Sequence, residues 1–537
     1  MPDLRNIILI TIDSLRPDWV TPDSSTSKAF PTLRSLWSGG ISCPSGFSHG
    51  LFSQISFPSI LTSTLPLDYG GYDGGIRSRP VTLAEVCREH GLRTAAFSSD
   101  PYLSPFYGYD RGFESFSEMY DVARFLRNLD KLYLQPYISL RADGRRTDDS
   151  LTMRVANLLA EAFDGLLGLC ERKQEELGRF RFWSESVADH YNFHRLARLI
   201  DTELSRLRQD PRAYVERLFA ELGDSAISDI PKRADISILR PFLRRIWRAY
   251  KRLTPGGAQA SAVAVARAGV SLTALAPSYV SATHVIRKAG SWLARTSESP
   301  FFAWIALNDP HELSFARAMS PLAIRRSFRM MKRTLRGPEI LYALSLRYVD
   351  AALGSLIRFL RKRGRLDDTL LVICSDHGRA FSSQLQSART FSEEMLRVPM
   401  VFWNPHLTPT EAPHPCGLID LAPTILDLMG WQPVPGFQGV PVYSDAAARR
   451  EALIVDGMNG PCDFELQRPS IGVLRDDRLF LWHGNDPIEV TDFGGREPTS
   501  ADRRRDASNA SQLEEARRTA ADRWESLLSS HANEATE

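Results

Sequence analysis

Residues 348–378 read YVDAALGSLIRFLRKRGRLDDTLLVICSDHG, and the architecture can be worked out from this stretch. Its first half carries apolar residues at helical spacing and belongs to a long amphipathic helix predicted over Tyr342 to Arg363. The run Thr369 to Cys374 is apolar without alternation, which is typical of a strand buried on both faces of a parallel sheet. Polar residues, Ser375-Asp376-His377-Gly378, follow it directly. A helix that leads into a buried strand predicts an α/β fold.

The same alternation of helices and buried strands occurs on both sides of this stretch. Strands are predicted over Ile7 to Ile12, Thr94 to Phe97, Phe301 to Leu307 and Val398 to Trp403, and helices over Val81 to His90, with Gly91 as C-cap, and over Asp420 to Met429. This rhythm predicts a central sheet with helices on both of its sides.

The middle of the chain has a different pattern. From about residue 120 to 285 the periodicity is helical, over Leu151 to Phe180 and Asn192 to Leu222, and no strand signal of comparable strength occurs. We therefore expect a helical insertion or cap. Its segment 239–253 is basic and amphipathic, and is expected to be either a solvated helix face packed on the body or a contact for an anionic surface or substrate.

The end of the chain is predicted to form a smaller unit. Short strand signals at 453–455, 471–474 and 478–482 predict an antiparallel subdomain, and residues 501–537 predict a polar helix or a frayed tail. The predicted division is 1–119 and 286–440 for the two parts of the α/β domain, 120–285 for the insertion, and 441–537 for the C-terminal subdomain with its helical tail.

Composition narrows the classes of protein. The 537 residues are 43% hydrophobic and carry a formal net charge of +2, which is ordinary for a globular protein and gives no general attraction to nucleic acid. The six cysteines form no CxxC pair, so we expect reduced, mostly buried thiols. The first strand begins at Asn6, which leaves no room for a signal peptide, and no run of about 18 apolar residues occurs. A cytoplasmic protein without an integral membrane segment is expected, and export by a non-standard route stays open as the alternative; the oligomeric state is undetermined.

Three residues at strand ends could hold a metal ion. Asp13 ends the first strand, and Asp376 and His377 end a later one. Sites in open α/β sheets form outside the carboxyl ends of strands, and carboxylate plus imidazole suits a divalent cation such as Zn, Mn, Fe or Ca. Gly378 permits the sharp turn that would let both Asp376 and His377 face one ion. Taken alone, each Asp could equally cap a helix.

At this point the chain resembles the sulfatase family. The matching motifs are NIILITIDSLRPD at 6–18, PFFAWIALNDPH at 300–311, the stretch 348–378 quoted above, EEMLRVP at 393–399, DLAPTILDLMG at 420–430 and FQG at 437–439. The resemblance covers roughly residues 5–118 and 285–485. It implies an alkaline-phosphatase-like fold with a mostly parallel central sheet, and the hydrolysis of sulfate or phosphate esters on a metal ion.

The resemblance also places a nucleophile. Counting back from Ser59 to Pro66 (SILTSTLP), Ser53 stands where sulfatases open their C/S-x-P-x-R signature, and it is expected both to attack and to join Asp13, Asp376 and His377 as a metal ligand. The signature is broken, because Ile55 replaces its Pro and Phe57 its Arg. An unmodified serine is therefore expected, with Ser56 as the alternative nucleophile. If neither serine attacks, both would cap a helix that begins near Pro58.

Further departures favour one metal ion, whether Ca, Mn, Mg or Zn, over two. Ser14 follows Asp13 where sulfatases have a second acid, Asp376 is followed by His377 as in the single-metal phosphonate and phosphate ester hydrolases, and the family's Lys falls on Ala388. Arg389, the next residue, could supply the positively charged side chain that contacts the substrate.

Four other residues are candidates for contact with the substrate or its surroundings. The resemblance implies that His311 donates to a substrate oxygen or protonates the leaving group, while Asp309 orients its loop. Arg16 could pair with the anionic substrate or with a carboxylate, and His49 is a weaker candidate near Ser53.

The predicted function is thus hydrolysis of a small-molecule or glycan ester of sulfate or phosphate. Two alternatives stay open. The chain could transfer the group to a glycan or lipid hydroxyl instead of water, or it could bind without catalysis.

Overall fold

A computed structural model describes residues 3–24, 26–120, 125–126, 129, 149–179, 192–220, 280–296, 299–312, 338–381, 391–450, 452–457, 462, 469–475, 478–483, 489–492 and 506–534. The predictions for Arg389, for Ala388 and for the basic segment 239–253 lie outside these residues.

A large sheet forms the centre of the molecule. The strands are β1 (Asn6–Ile12), β2 (Ile41–Ser42), β3 (Gly46–Phe47), β4 (Arg93–Ser98), β5 (Ser115–Glu118), β6 (Phe301–Leu307), β7 (Thr369–Cys374), β8 (Met400–Trp403), β9 (Thr410–Glu411), β10 (Cys416–Gly417), β11 (Leu453–Gly457), β12 (Ser470–Arg475), β13 (Arg478–Trp482) and β14 (Glu489–Asp492). The eight-stranded central sheet has the order β5-β4-β6-β1-β7-β8-β2-β9. The first five strands in this order, β5, β4, β6, β1 and β7, run parallel to one another. Strand β8 is antiparallel to its two neighbours, β7 and β2. The expected mostly parallel sheet is confirmed.

Helices flank the sheet. They are α1 (Pro31–Gly39), α2 (Ser53–Thr62), α3 (Leu83–Glu89), α4 (Asp149–Arg179), α5 (Phe193–Gln209), α6 (Pro211–Ala220), α7 (Ala282–Arg295), α8 (Asp309–Glu312), α9 (Pro338–Lys362), α10 (Glu393–Leu396), α11 (Leu421–Leu428), α12 (Asp445–Ala448) and α13 (Asp506–Glu534), with 3₁₀ turns at Pro17–Trp19, Ser27–Ala29, Pro105–Tyr107 and Leu418–Asp420. Among the described residues, no helix is both long and apolar enough to cross a bilayer.

Both faces of the sheet are buried, as the unalternating strands predict. Side chains along a strand point to opposite faces in turn. Accordingly, Ile7 and Leu9 of β1 join one hydrophobic cluster with α2, α3 and α11, whereas Ile8 and Ile10 join another with α1, α7 and α9. At about 25 cal/mol per Å² of apolar surface removed from water, this burial is the main stabilising contribution.

The helices of the predicted insertion share the core of the sheet domain. Leu159 and Phe163 of α4 and Leu196 of α5 are fully buried in the cluster that contains Ile7. The helical stretch predicted over 192–222 divides into α5 and α6 because Pro211, which lacks an N–H donor, begins the second helix. The predicted domain boundaries themselves stay predictions.

The C-terminal antiparallel sheet is confirmed. Strands β11 to β14 pair in chain order, and Ala516, Ala520 and Leu527 of α13 pack on Ile471 and its neighbours. The last segment, expected as a helix or a frayed tail, is thus a docked helix. The six cysteines are free thiols, five of them buried, as expected.

Candidate metal centre

Polar side chains meet at the carboxyl ends of three neighbouring strands. Asp13 directly follows β1, Asp376 lies two residues beyond β7, and Asn308 and Asp309 follow β6. Because β1 pairs with β6 on one side and with β7 on the other, Asp13 lies between the other two groups. This is the edge at which ligand sites form in open α/β sheets.

Asp13 is the centre of a group that could hold a metal ion. One carboxylate oxygen of Asp13 and one ring nitrogen each of His311 and His377 lie within 4.8 Å of one another. His377 Nε2 is 3.4 Å from Asp13 Oδ1, and His311 Nδ1 is 4.0 Å from Asp13 Oδ2. His377 is buried, whereas the His311 side chain is 41% exposed.

The hydrogen bond on the other side of the His377 ring fixes its tautomer. His377 Nδ1 lies 2.8 Å from the carbonyl oxygen of Gly378. A carbonyl only accepts, so Nδ1 carries a proton, and Nε2 is the ring nitrogen that lies toward Asp13 and Asp376. A backbone partner of this kind is usual for imidazoles that ligate metals.

Asp376 leaves one oxygen available in the same place. Its Oδ1 accepts from the backbone N–H groups of His377 (2.9 Å) and Ser14 (3.3 Å). No donor reaches the buried Oδ2 within the part of the chain that the structure describes, and this atom lies 3.6 Å from His377 Nε2. A buried carboxylate oxygen without a donor is costly unless a cation compensates it.

The electrostatics of Asp13 point the same way. Burial, followed by the nearby Asp376 carboxylate, raises the pKa of Asp13 from 3.8 to about 6. Two buried carboxylates destabilise each other in their charged forms. The residues present therefore fit a divalent cation, which would neutralise both.

Ser53 and Ser56 differ in their surroundings. Ser53 is the first residue of α2, so the helix begins before Pro58 and neither serine caps it. No hydrogen bond of the Ser53 hydroxyl is seen among the described residues. Ser56 Oγ is fully buried, 2.9 Å from Ser48 Oγ and 3.2 Å from the carbonyl oxygen of Phe52.

The loop that leads to Ser53 is held from two sides. Ser48 N–H donates to the Leu396 carbonyl (2.8 Å), one residue after Met395, whose carbonyl accepts from Gly378 N–H (2.7 Å). The short helix α10 thus links this loop to the turn that carries Asp376 and His377. On the other side, the Asp456 N–H of β11 donates to the His49 carbonyl (3.0 Å).

His49 is a structural residue of this loop. Its Nδ1 donates to the Ile454 carbonyl at 2.5 Å, and burial lowers its pKa to about 4. The ring is therefore neutral near pH 7 and joins the loop to the C-terminal sheet.

Arg16 is engaged by carboxylates, one of the two partners predicted for it. Its guanidinium donates to Asp18 through Nε and Nη2, both at 2.9 Å, and Nη1 lies 3.3 Å from Glu394. Nη1 also donates to the Arg379 carbonyl (3.0 Å). A contact of Arg16 with substrate stays a prediction.

Two contacts fix the loop that carries His311, one made by Asp309 and one by Arg379. Asp309 Oδ2 accepts from the Ala282 N–H at the start of α7 (2.9 Å), and burial raises the pKa of Asp309 to about 8. Arg379, next to Gly378, donates to the His311 carbonyl at 2.7 Å. The loops after β6 and β7 are therefore tied together through Arg379.

Asn308 and Asp100 belong to the centre but were not among the predicted residues. Asn308 Nδ2 donates to Asp13 Oδ2 (3.3 Å) and to Asp100 Oδ2 (2.9 Å), and its Oδ1 accepts from Ser99 Oγ (3.0 Å). Both residues follow a buried strand. The strand-end rule that selected Asp13 would therefore have identified them.

Comparisons with known proteins identify the family of the chain. The chain matches the Sulfatase family over residues 5–165 and 215–431. It is 32% identical to the choline-sulfatase of Rhizobium meliloti (strain 1021) over 106 residues, which are 20% of this chain and 21% of that protein. The matched part thus spans about a fifth of the relative's length.

Two solved structures have a similar fold. The phosphonate monoester hydrolase SpPMH from Silicibacter pomeroyi superposes with a TM-score of 0.53 at 15% identity, covering 96% of this chain and 95% of that one. Ps i-CgsB in complex with k-i-k-neocarrahexaose gives 0.51 at 16% identity, covering 96% and 92%. The expected alkaline-phosphatase-like fold class is confirmed, and, since the family match extends over more than half of its residues, the chain belongs to the sulfatase family.

Proposed function

We propose that the chain hydrolyses sulfate or phosphate esters with a single divalent metal ion, held by Asp13, Asp376 and His377. The observation that carries this proposal is the convergence of these side chains at the ends of two adjacent strands, β1 and β7, with a buried Asp376 oxygen that no described donor reaches. Membership of the sulfatase family supports the same chemistry. A cation bound there would supply the positive charge that offsets the anionic ester and lowers the pKa of a nearby hydroxyl.

Ser53 is the proposed nucleophile. It lies at the N-terminus of α2, where the first N–H groups lack helical partners and favour negative charge. Its hydroxyl proton passes to solvent water, and its Oγ bonds to sulfur or phosphorus. The bond from that atom to the leaving oxygen breaks in line, and the leaving oxygen takes a proton from His311. Water then attacks the seryl ester, which releases sulfate or phosphate and restores the serine.

His311 is the proposed acid. Its ring is the exposed member of the group, so it is accessible to an ester that approaches from solvent. A proton passed from His311 to the leaving oxygen avoids the release of a high-energy alkoxide. The Arg379 bond to its backbone and the anchoring of Asp309 keep its loop in place.

Metal content and turnover on an ester panel test the proposal. The panel contains aryl sulfate, phosphate monoester, phosphate diester and phosphonate monoester. Wild type is expected to hold about one equivalent of metal, and Asp376→Asn is expected to lose both metal and turnover. Asp367→Asn is the matched control, because this exposed aspartate precedes β7, at the end of the strand opposite to Asp376. This variant should keep both metal and turnover.

The two serines are separated by a second pair of variants. Ser53→Ala should abolish turnover, because it removes the attacking oxygen. Binding of metal to this variant should still be measurable by titration. Ser56→Ala should lower stability, since it removes a buried hydroxyl from the Ser48 bond, yet keep turnover. Absence of metal and of turnover in wild type after addition of Mn, Zn, Ca or Mg would refute the proposal in favour of a binding protein. Products formed with added alcohols would reveal transfer.

A further inference from the structure

Ser14, the residue after Asp13, has a backbone conformation that serine rarely adopts. Its φ is 63°, in the left-handed region, and it is almost fully buried. In that region the Cβ of an L-residue crowds its own backbone, so the conformation persists only where surrounding contacts enforce it. A strained residue beside a proposed metal ligand calls for a physical cause.

The strained turn brings one donor to each of the two strand-end carboxylates. Ser14 Oγ donates to Asp13 Oδ1 at 2.9 Å, and Ser14 N–H donates to Asp376 Oδ1 at 3.3 Å. The φ angle sets the direction of the Ser14 side chain relative to its own N–H, so an extended or right-handed residue would not present the two donors in this arrangement. The left-handed conformation is therefore what allows a single residue to bridge Asp13 and Asp376.

Neighbouring groups hold the turn in this conformation. The buried Tyr342 hydroxyl of α9 donates to the Ser14 carbonyl at 2.8 Å and accepts from Arg16 N–H at 2.9 Å. Leu15 N–H donates to Ser375 Oγ at 2.8 Å, and Ser375 Oγ lies 2.7 Å from the His377 carbonyl. The turns after β1 and β7 are thus joined through several bonds besides those of Ser14.

We propose that Ser14 is a positioning residue of the metal centre, which fixes the orientation of both carboxylates before a cation binds. This inference rests on the proposed function in that Asp13 and Asp376 are taken to hold the metal. An acid at position 14 would add a third carboxylate next to two buried ones. A serine instead supplies a neutral donor, so the centre carries less negative charge than it would with an acid at this position. The same donor orients the Asp13 carboxylate and its remaining lone pairs.

The decisive variant is Ser14→Gly. Glycine adopts the left-handed region without strain, so the turn and the Ser14 backbone N–H bond can stay while the bond to Asp13 is lost. Loss of a bond that orients a metal ligand typically costs 10- to 100-fold in metal affinity. Titration of the EDTA-treated full-length protein with Mn²⁺ and with Zn²⁺ should show this loss, while the melting temperature of the metal-free protein stays near that of wild type.

Ser63→Gly is the matched control. Ser63 is also a buried serine with positive φ (51°), and its hydroxyl makes hydrogen bonds with the Ile419 carbonyl and Gly439 N–H. It is bonded to neither proposed ligand. The metal affinity of the Ser63→Gly variant should match that of wild type.

Each outcome bears on a different claim. A 10- to 100-fold loss in Ser14→Gly with none in Ser63→Gly supports the positioning role. Equal affinity in wild type and Ser14→Gly overturns it and leaves the proposed function intact. A wild-type protein that binds neither metal overturns the proposed function and the positioning role together.

Discussion

The metal-free protein should become more stable when its proposed central ligand is neutralised. In the absence of a cation, burial and Asp376 raise the pKa of Asp13 from 3.8 to about 6. A shift of about 2 units corresponds to roughly 3 kcal/mol of unfavourable free energy for the ionised carboxylate at neutral pH. Asp13→Asn removes this charge. It also places an amide N–H₂ opposite the Asn308 donor, which costs about 1 kcal/mol.

The net gain should depend on pH in a defined direction. The folded state holds the Asp13 proton more tightly than the unfolded state does, so wild-type stability falls as pH rises from about 4 to 6. We therefore expect Asp13→Asn to equal wild type near pH 4.5 and to exceed it by about 2 kcal/mol at pH 7.5. Urea unfolding of EDTA-treated proteins at both pH values measures this difference.

Two further measurements complete the test. Asp367→Asn, which removes an exposed carboxylate outside the centre, is the control variant in the same unfolding experiments. Added metal should reverse the order at pH 7.5, since it stabilises wild type by binding only the folded state and finds one ligand fewer in Asp13→Asn. The reasoning is wrong if metal-free Asp13→Asn is no more stable than wild type at pH 7.5, or if its advantage does not change with pH.

Three other variants test separate parts of the structure. His311→Ala should keep its metal and lose about 10²- to 10⁴-fold in kcat on alkyl esters, with a smaller loss on aryl esters, whose leaving groups need no acid; loss of metal content instead would make His311 a ligand. Asp350→Asn should gain about 2 kcal/mol over wild type between pH 4 and 7, because burial raises the pKa of Asp350 to about 6; a difference that is constant in urea unfolding would contradict this. Arg523→Met should destabilise the protein by about 3–5 kcal/mol and speed hydrogen exchange in α13, since it leaves the fully buried Asp456 unpaired; an unchanged unfolding midpoint would show that the ion pair contributes little.

The sheet could be predicted closely because its strands have the simplest signal. β6 and β7 agree residue for residue with the predicted strands, since a strand buried on both faces is a continuous apolar run between polar residues. The two-residue strands β2, β3, β9 and β10 were missed because two residues are too few to show a pattern of apolar and polar side chains. That α4 and α5 share the core of the sheet was also missed, because helical spacing identifies a buried face but not what covers it.

The site could be predicted only in part. Asp13 and Asp376 followed from their places at strand ends, and the structure brings them together because β1 and β7 pair directly. Their roles as ligands, like the cytoplasmic location, stay predictions. The bridging role of Ser14 depends on a left-handed φ and on a tyrosine more than 300 residues away, and neither is encoded in local sequence.

The broken signature after Ser53 is accommodated by the fold. Ile55 is buried against the C-terminal sheet, and Phe57 is buried with its ring centre 5.8 Å from that of Trp304. An arginine at position 57 would place a charge within this apolar contact, at a cost that requires a partner. The loop ahead of Ser53 is instead fixed by the Ser48 bond to Leu396 and by the C-terminal sheet. The altered residues therefore pack the core of α2, and under the proposed function the charge of the substrate would be balanced by the proposed metal ion and by other donors of the site.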